Sequence, residues 1–334
     1  MRTNIEIRRK GVIVSAVASV LLVVLCPECC AQSKHLAETA TVLASPSDKP
    51  TDIQNDQVHI QVSLDLVVVP VTVLDAHDHA VDGLDKKHFA LYDDKVEQQI
   101  THFTSEDAPV SIGLVFDTSD SMRPKLQSAL DAVGSVLSNA KSQDELFLVQ
   151  FSNRAKLLVS ATNQTEEIRK QLAMMQIGGT TALLDAVRVA LNEMSKSHHN
   201  RKAIIIISDG EDNSSQCSIR DVKDAVRETD VVIYAMGITN SGGYSQDFPG
   251  STLLKEITEN TGGRLFEIRK LRQLPEIASK INAWMRKQYV LAYTPSNTEK
   301  NGRYHHIQVR ITRPDGFPRL HAFWRLGYYL PRGE

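Results

Sequence analysis

The chain has 334 residues, 42% of them hydrophobic, which is enough for one large domain and a smaller one around ordinary apolar cores. Its 38 basic and 40 acidic residues give a net charge of −2 without a basic stripe, which argues against a nucleic-acid partner. Three of the 4 cysteines precede residue 31, so the chain beyond that point keeps only Cys217 and cannot form an internal disulfide.

In chain order, Arg8, Arg9 and Lys10 precede the apolar stretch from Gly11 to Leu25, and Cys29, Cys30 and Ala31 supply small residues after it. This pattern predicts a secretory signal over residues 1–31, cleaved near Ala31, and so an exported protein, periplasmic or extracellular. The apolar run is shorter than the roughly 20 residues a spanning helix needs, and Pro27 follows it, so no membrane span is expected after cleavage. Four basic and two acidic residues leave with the signal, taking the net charge of −2 to about −4.

Residues 32–56, with SPSDKPTD inside, form a flexible leader by composition. Residues 57–108 change to a β pattern: Ile60, Val62, Leu64 and Leu66 alternate with polar residues, and Pro70 marks an edge or bulge. AHDHAVDGL is a turn, and HFALYDDK and EQQITHFTS are further short strands.

From Val110 the pattern alternates strands with helices. Ile112, Leu114, Val115 and Phe116 suit a strand buried on both faces, and the run stops at Asp117. A helix is expected from Pro124, in its first turn, to about Ala140. ELFLVQF and AKLLVSA read as an edge hairpin, followed by helices at Glu166–Met175 and Leu183–Met194 around the loop Ile177–Thr181. AIIIISDGEDN is a second buried strand that ends in acid. Helices at Ile219–Glu228, Ser251–Asn260 and Leu274–Met285 alternate with strands at Val231–Ile238 and Leu265–Ile268. Beyond Gln288, YVLAYTP, YHHIQVRIT and LHAFWRLGYY return to strand.

The expected fold class is therefore α/β: a doubly wound, mostly parallel sheet over residues 109–287, with a second, smaller β-sandwich-like domain from the flanking strands. An isolated small sheet is marginal in water, so residues 57–108 and 288–334 are expected to pair, with the α/β domain inserted between them.

Three separated loops offer oxygen ligands: Asp117, Ser119 and Ser121; Thr180 or Thr181 after a glycine pair; and Asp209 after four isoleucines. The first follows the carboxyl end of a buried strand, the edge where open α/β sheets bind ligands. Carboxylates mixed with hydroxyls suit hard divalent cations such as Mg²⁺, Mn²⁺ or Ca²⁺. Gly178 and Gly179 would let the backbone approach such a cation closely. Each part taken alone has another use: Ser119, Asp120 or Ser121 as a helix cap, Asp209 as a turn residue before Gly210, Thr181 as a helix start.

In these motifs the chain resembles the von Willebrand factor type A domain and its metal-ion-dependent adhesion site, over roughly Pro109 to Lys287. The flanks VDGLDKKHFALYDDK, QYVLAYTP and LGYYLP also look like a bacterial family of exported proteins with a related domain, known largely from acidobacteria. The resemblance implies that Ser119 and Ser121 coordinate the cation directly, and Asp117 and Asp209 directly or through water. It implies too that Thr180 joins when ligand binds, and that a carboxylate from a partner protein completes the shell. Asp120 stands where the family most often has glycine; its charge is expected to strengthen cation capture and weaken attraction for that carboxylate. The resemblance implies a non-catalytic, protein-binding adhesion module.

The same residues admit two other classes. A Mg²⁺-dependent, phosphatase-like hydrolase could use Asp117 as nucleophile, but Ser119 stands where a second aspartate is expected and no phosphate-cradling loop is present. A structural envelope protein could carry the metal site for stability alone. His198-His199 and His305-His306 lack a spaced Cys or Glu partner for a transition-metal site, and Glu211 and Asp212 are expected in a solvated loop near the cation.

Overall fold

A computed structural model describes residues 66–238, 250–297 and 302–329, all within one compact unit spanning Gln61–Glu334. The predicted signal, the leader and the alternating residues Ile60, Val62 and Leu64 lie outside the described residues. No helix among those described is long and apolar enough to cross a membrane.

The centre is a six-stranded sheet in the order β10-β9-β8-β5-β6-β7. Its strands are β5 (Val110–Asp117), β6 (Glu145–Phe151), β7 (Ala155–Thr162), β8 (Arg201–Ser208), β9 (Val232–Ile238) and β10 (Leu265–Ile268). All neighbours are parallel except the β6–β7 hairpin, which closes one edge. Every residue of β5 is buried, as its near-continuous apolar run requires of a strand covered on both faces.

One face carries α1 (Leu126–Ser138), α2 (Thr165–Ala173) and α6 (Leu274–Arg286), which pack Val133, Ile168 and Trp284 with Ile112 and Leu114. The other carries α3 (Leu183–Met194), α4 (Ile219–Glu228) and α5 (Ser251–Asn260), which pack Val187, Val222 and Leu254 with Val115 and Ile206. α1 starts later than Pro124 predicts, because Asp120–Lys125 form a tighter 3₁₀ segment anchored by the fully buried Met122.

The flanking segments build two four-stranded antiparallel sheets that share one apolar core. The first has the order β13-β1-β11-β4, from β1 (Val67–Leu74), β4 (His102–Thr104), β11 (Tyr289–Tyr293) and β13 (His321–Trp324). The second has the order β14-β12-β2-β3, from β2 (Phe89–Asp93), β3 (Val96–Gln98), β12 (Tyr304–Ile311) and β14 (Gly327–Tyr329). Strand β13 covers β1 only from Val71, so Pro70, opposite Val290 of β11, sits where β1 has a neighbour on one side alone. The predicted strand LHAFWRLGYY is in fact two strands in different sheets. Arg325 bridges to Thr261 and the Leu326 amide donates to the Asn260 carbonyl, so the end of α5 bends the chain across. A Cβ on Gly327 would meet the His305 carbonyl at 2.1 Å, so the return into the second sheet needs glycine.

Arg201 joins the two parts of the fold. Its guanidinium, 2% exposed, donates to the carbonyls of Arg286 (2.5 Å), Gln288 (2.8 Å) and Glu106, the segments that enter β5 and leave α6. Inside the antiparallel core, Asp93 accepts from the Tyr293 hydroxyl (3.0 Å) and the Tyr328 hydroxyl (2.7 Å) and lies 3.1 Å from His305 Nδ1. Burial pushes both tyrosine hydroxyls up, so they stay protonated as donors. Replacing Asp93 with alanine removes the carboxylate that accepts from both, at about 1–3 kcal/mol for each hydroxyl left without another acceptor. Urea unfolding of Asp93→Ala is expected to show a loss of at least that size, and an unchanged midpoint would rule this account out.

Candidate metal centre

Chain order and strand order together place the site. From β5 the chain moves to β6 on one side and later returns to β8 on the other, so the strand order reverses between β5 and β8. A crevice forms at the carboxyl ends of such strands. Asp117 is the last residue of β5, Ser208 the last of β8, and Asp209 follows it.

Asp117 is fully buried. Its Oδ1 accepts from the Ser119 amide at 2.8 Å and its Oδ2 from the Ser208 hydroxyl at 2.6 Å, so one carboxylate ties two loops. Ser119 precedes the 3₁₀ turn without capping it, and its hydroxyl lies 3.0 Å from that of Ser121. The capping use is therefore not realised at Ser119, and two hydroxyls face each other beside a carboxylate.

Asp209 is 7% exposed; its Oδ2 accepts from the Lys125 ammonium at 2.9 Å, while its Oδ1 has no partner among the described residues. The ammonium, itself 4% exposed, also donates to the carbonyl of Ile238 at 3.4 Å, at the end of β9. No sequence signal marked Lys125, because a lysine near a helix start normally points to water.

The glycine loop is laced to the first one. The Asp120 amide donates to the Gly179 carbonyl at 3.0 Å, the Gly179 amide returns to Asp120 Oδ2 at 3.0 Å, and the Gly178 amide reaches the Thr118 carbonyl at 2.8 Å. Thr180 is therefore adjacent, but its hydroxyl donates to Asn153 Oδ1 at 2.7 Å and its amide to the same oxygen at 2.6 Å. Asn153, in the β6–β7 turn, thus orients Thr180. Gly179 has φ +93°, and a Cβ there would meet the Asn153 carboxamide oxygen at 2.2 Å, so its freedom serves Asn153. Thr181 is buried, and its amide donates to Asn213.

Two loop expectations change. Asp212 is engaged: its Oδ1 accepts from the Leu183 and Leu184 amides at 2.8 and 3.3 Å, capping α3 from another segment. Asp120 pairs with Arg123 at 2.8 Å, and that pair with the Gly179 amide holds its carboxyl below the ordinary range. Asp120 thus has an oppositely charged neighbour, both side chains being 65% exposed.

Burial, reinforced by the charge of Asp209, raises Asp117 to about 6 against the opposing hydrogen bonds of Ser208 and Ser119. In chelator, this group's contribution to stability is fully present below pH 3.8 and is lost as pH rises through about 6. The slope it adds is at most about 1.4 kcal/mol per pH unit. Urea midpoints between pH 4 and 7 should decline less in Asp117→Asn than in the wild type, and parallel profiles would contradict this.

A second cluster of ligand-type residues, Asp93, Asp94 and His305, has ligand atoms within 4.8 Å of one another. Asp93 is already bonded to two tyrosines and His305, and Asp94 Oδ1 accepts from the His306 amide at 3.0 Å, so hydrogen bonds engage most of these atoms. His198 and His199 lie 3.7 and 3.9 Å from Glu145, at the opposite end of the sheet from Asp117.

A doubly wound sheet with carboxylates and hydroxyls at its switch point defines the class: an open α/β domain with an oxygen-lined ligand edge. The profile of the von Willebrand factor type A domain matches residues 111–280, and the chain belongs to that family. A Borreliella burgdorferi protein is 26% identical over 186 residues, covering 48% of this chain and 54% of that one. Inter-alpha-trypsin inhibitor heavy chain H4 of Sus scrofa is 26% identical over 165 residues, covering 46% of this chain and 18% of that one. The chain thus spans about half of the first relative and less of the second. Among solved structures, a von Willebrand factor type A protein from Catenulispora acidiphila is 12% identical, covering 81% of this chain and 74% of its own, with a TM-score of 0.47.

Proposed function

We propose that this chain is a non-catalytic, divalent-cation-dependent protein-binding module of an exported protein. Asp117, Ser119, Ser121 and Asp209 would hold Mg²⁺ or a related hard cation, with Thr180 beside them. One observation carries the reading: the Ser119 and Ser121 hydroxyls, 3.0 Å apart, follow β5 at the switch point, and beyond the adjacent β8 Asp209 Oδ1 is buried without a partner among the described residues. A buried carboxylate oxygen without a donor is a costly arrangement that a cation relieves. This donor set is all hard oxygen, which fits Mg²⁺, Mn²⁺ or Ca²⁺ and not a soft metal. When bound, such an ion supplies a Lewis-acidic position for a carboxylate from the partner protein.

The protein's own residues prepare that position. Ser208 and the Ser119 amide orient Asp117, Asn153 holds Thr180 at the rim, and the Asp120–Gly179 bonds keep the first two loops together. Ser119 stands where the hydrolase reading needs a second aspartate, which disfavours that reading. The signal-like segment before Ala31 supports export.

The test is a cross-linking pull-down from envelope extract with wild type and Ser119→Ala, with Mg²⁺ or with chelator. A partner retained only by wild type in Mg²⁺ supports the reading, and equal retention in chelator overturns it. Turnover of a generic phosphate ester that Asp117→Asn abolishes would instead establish the hydrolase. Cation-dependent stability without any cation-dependent partner would leave a structural protein.

A further inference from the structure

The loops carry more charge than the proposed cation alone explains. Three carboxylates, Asp117, Asp120 and Asp209, face two fixed cations, Arg123 and Lys125, bonded to Asp120 and Asp209. Arg123 is 65% exposed, so water screens its pair. Lys125 is enclosed: its ammonium spans the Asp209 carboxylate and the Ile238 carbonyl, joining the ends of β8 and β9. The ammonium bonds Oδ2 of Asp209, and Oδ1 has no partner among the described residues.

We propose that Lys125 is a built-in cation of this site: it steadies Asp209 when no metal is held, opposes metal uptake across the shared carboxylate, and gives the loaded site its surplus positive charge. This rests on reading the three loops as a divalent-cation site. By formal charge these side chains sum to −1, so a divalent cation brings the loaded site to +1. Without Lys125 the loaded site would be neutral. The ammonium therefore trades cation affinity for attraction to an anionic ligand, which a carboxylate-bearing partner satisfies. A cation on Oδ1 meets the ammonium across a single carboxylate in a buried setting, where like charges repel strongly.

The experiment is Mn²⁺ titration by calorimetry of the full exported chain as wild type, Lys125→Met and Lys125→Arg, with circular dichroism of each. Methionine keeps the length and apolar stem of the lysine without its charge. Lys125→Met is expected to bind Mn²⁺ about tenfold or more tightly than wild type. Lys125→Arg keeps the charge and should not show that gain in affinity. Equal or weaker Mn²⁺ binding by folded Lys125→Met overturns the proposal. If Lys125→Met is unfolded in chelator, Mn²⁺ should restore its fold by replacing the lost counter-charge of Asp209, and failure to do so at millimolar Mn²⁺ equally overturns it. Wild type that takes up no Mn²⁺ refutes the cation-site reading itself, a different result from wild type and Lys125→Met binding alike.

Discussion

Millimolar Mn²⁺ or Mg²⁺ is expected to raise the melting temperature of the exported chain, and Asp117→Ala to abolish the rise. A ligand bound only by the folded state stabilises it by mass action, about 2.7 kcal/mol at one hundred times its dissociation constant. For a chain of this size that corresponds to roughly 4 °C. Asp117 is decisive because it lies fully buried between the Ser119 amide and the Ser208 hydroxyl, fixing the first and third loops relative to each other. The alanine variant should also melt lower in chelator, because those two donors lose their acceptor, at about 1–3 kcal/mol for each left unpaired. The diagnostic quantity is therefore the difference between cation and chelator for each protein. A wild-type melting curve indifferent to millimolar cation, measured by differential scanning fluorimetry, would remove the basis for the metal centre.

The other large effect is expected at the opposite end of β5. Asp144 is fully buried, accepts from the Val110 amide at 3.0 Å and the Lys141 amide at 2.7 Å, and pairs with the guanidinium of Arg286. Burial pushes its carboxyl up, but the bonds from Arg286, Lys141 and Val110 outweigh this and hold it below the ordinary range. Asp144→Ala leaves the Val110 and Lys141 amides without their acceptor, at about 1–3 kcal/mol for each, and takes one carboxylate from Arg286, which keeps the Asn139 carbonyl at 3.1 Å and Asp107 at 3.8 Å. That loss should appear in urea unfolding. Asp144 sits beside Val110, seven residues from Asp117 along a fully buried strand, so about 23 Å separates the two. Mn²⁺ affinity of the folded Asp144→Ala protein should accordingly match the wild type. A weakened affinity would mean the two ends of the sheet are coupled.

Much of the architecture was legible because it is local. Four consecutive isoleucines before Ser208 suit a strand covered on both faces, and the period of Leu183–Met194 suits a helix with one apolar face. The acidic stops at Asp117 and Asp209 were visible for the same reason, since each interrupts an apolar run. The antiparallel flanks were harder to place. Strands β3, β4, β13 and β14 are only three or four residues long, and LHAFWRLGYY shows no local break at Arg325 and Leu326, which contacts with Thr261 and Asn260 impose.

Residue order alone determined that oxygen-bearing loops would leave two buried strands, because strand propensity and the edge of a parallel sheet are set by neighbours in sequence. Only the tertiary structure decided how those loops are wired: Lys125 to Asp209 across 84 residues, Asn153 to Thr180 across 27, and Asp212 to the start of α3 across 29. These partners meet because the sheet places β5 between β6 and β8, and a side chain's charge partner depends on which strand lies beside it, a property no local window of sequence contains.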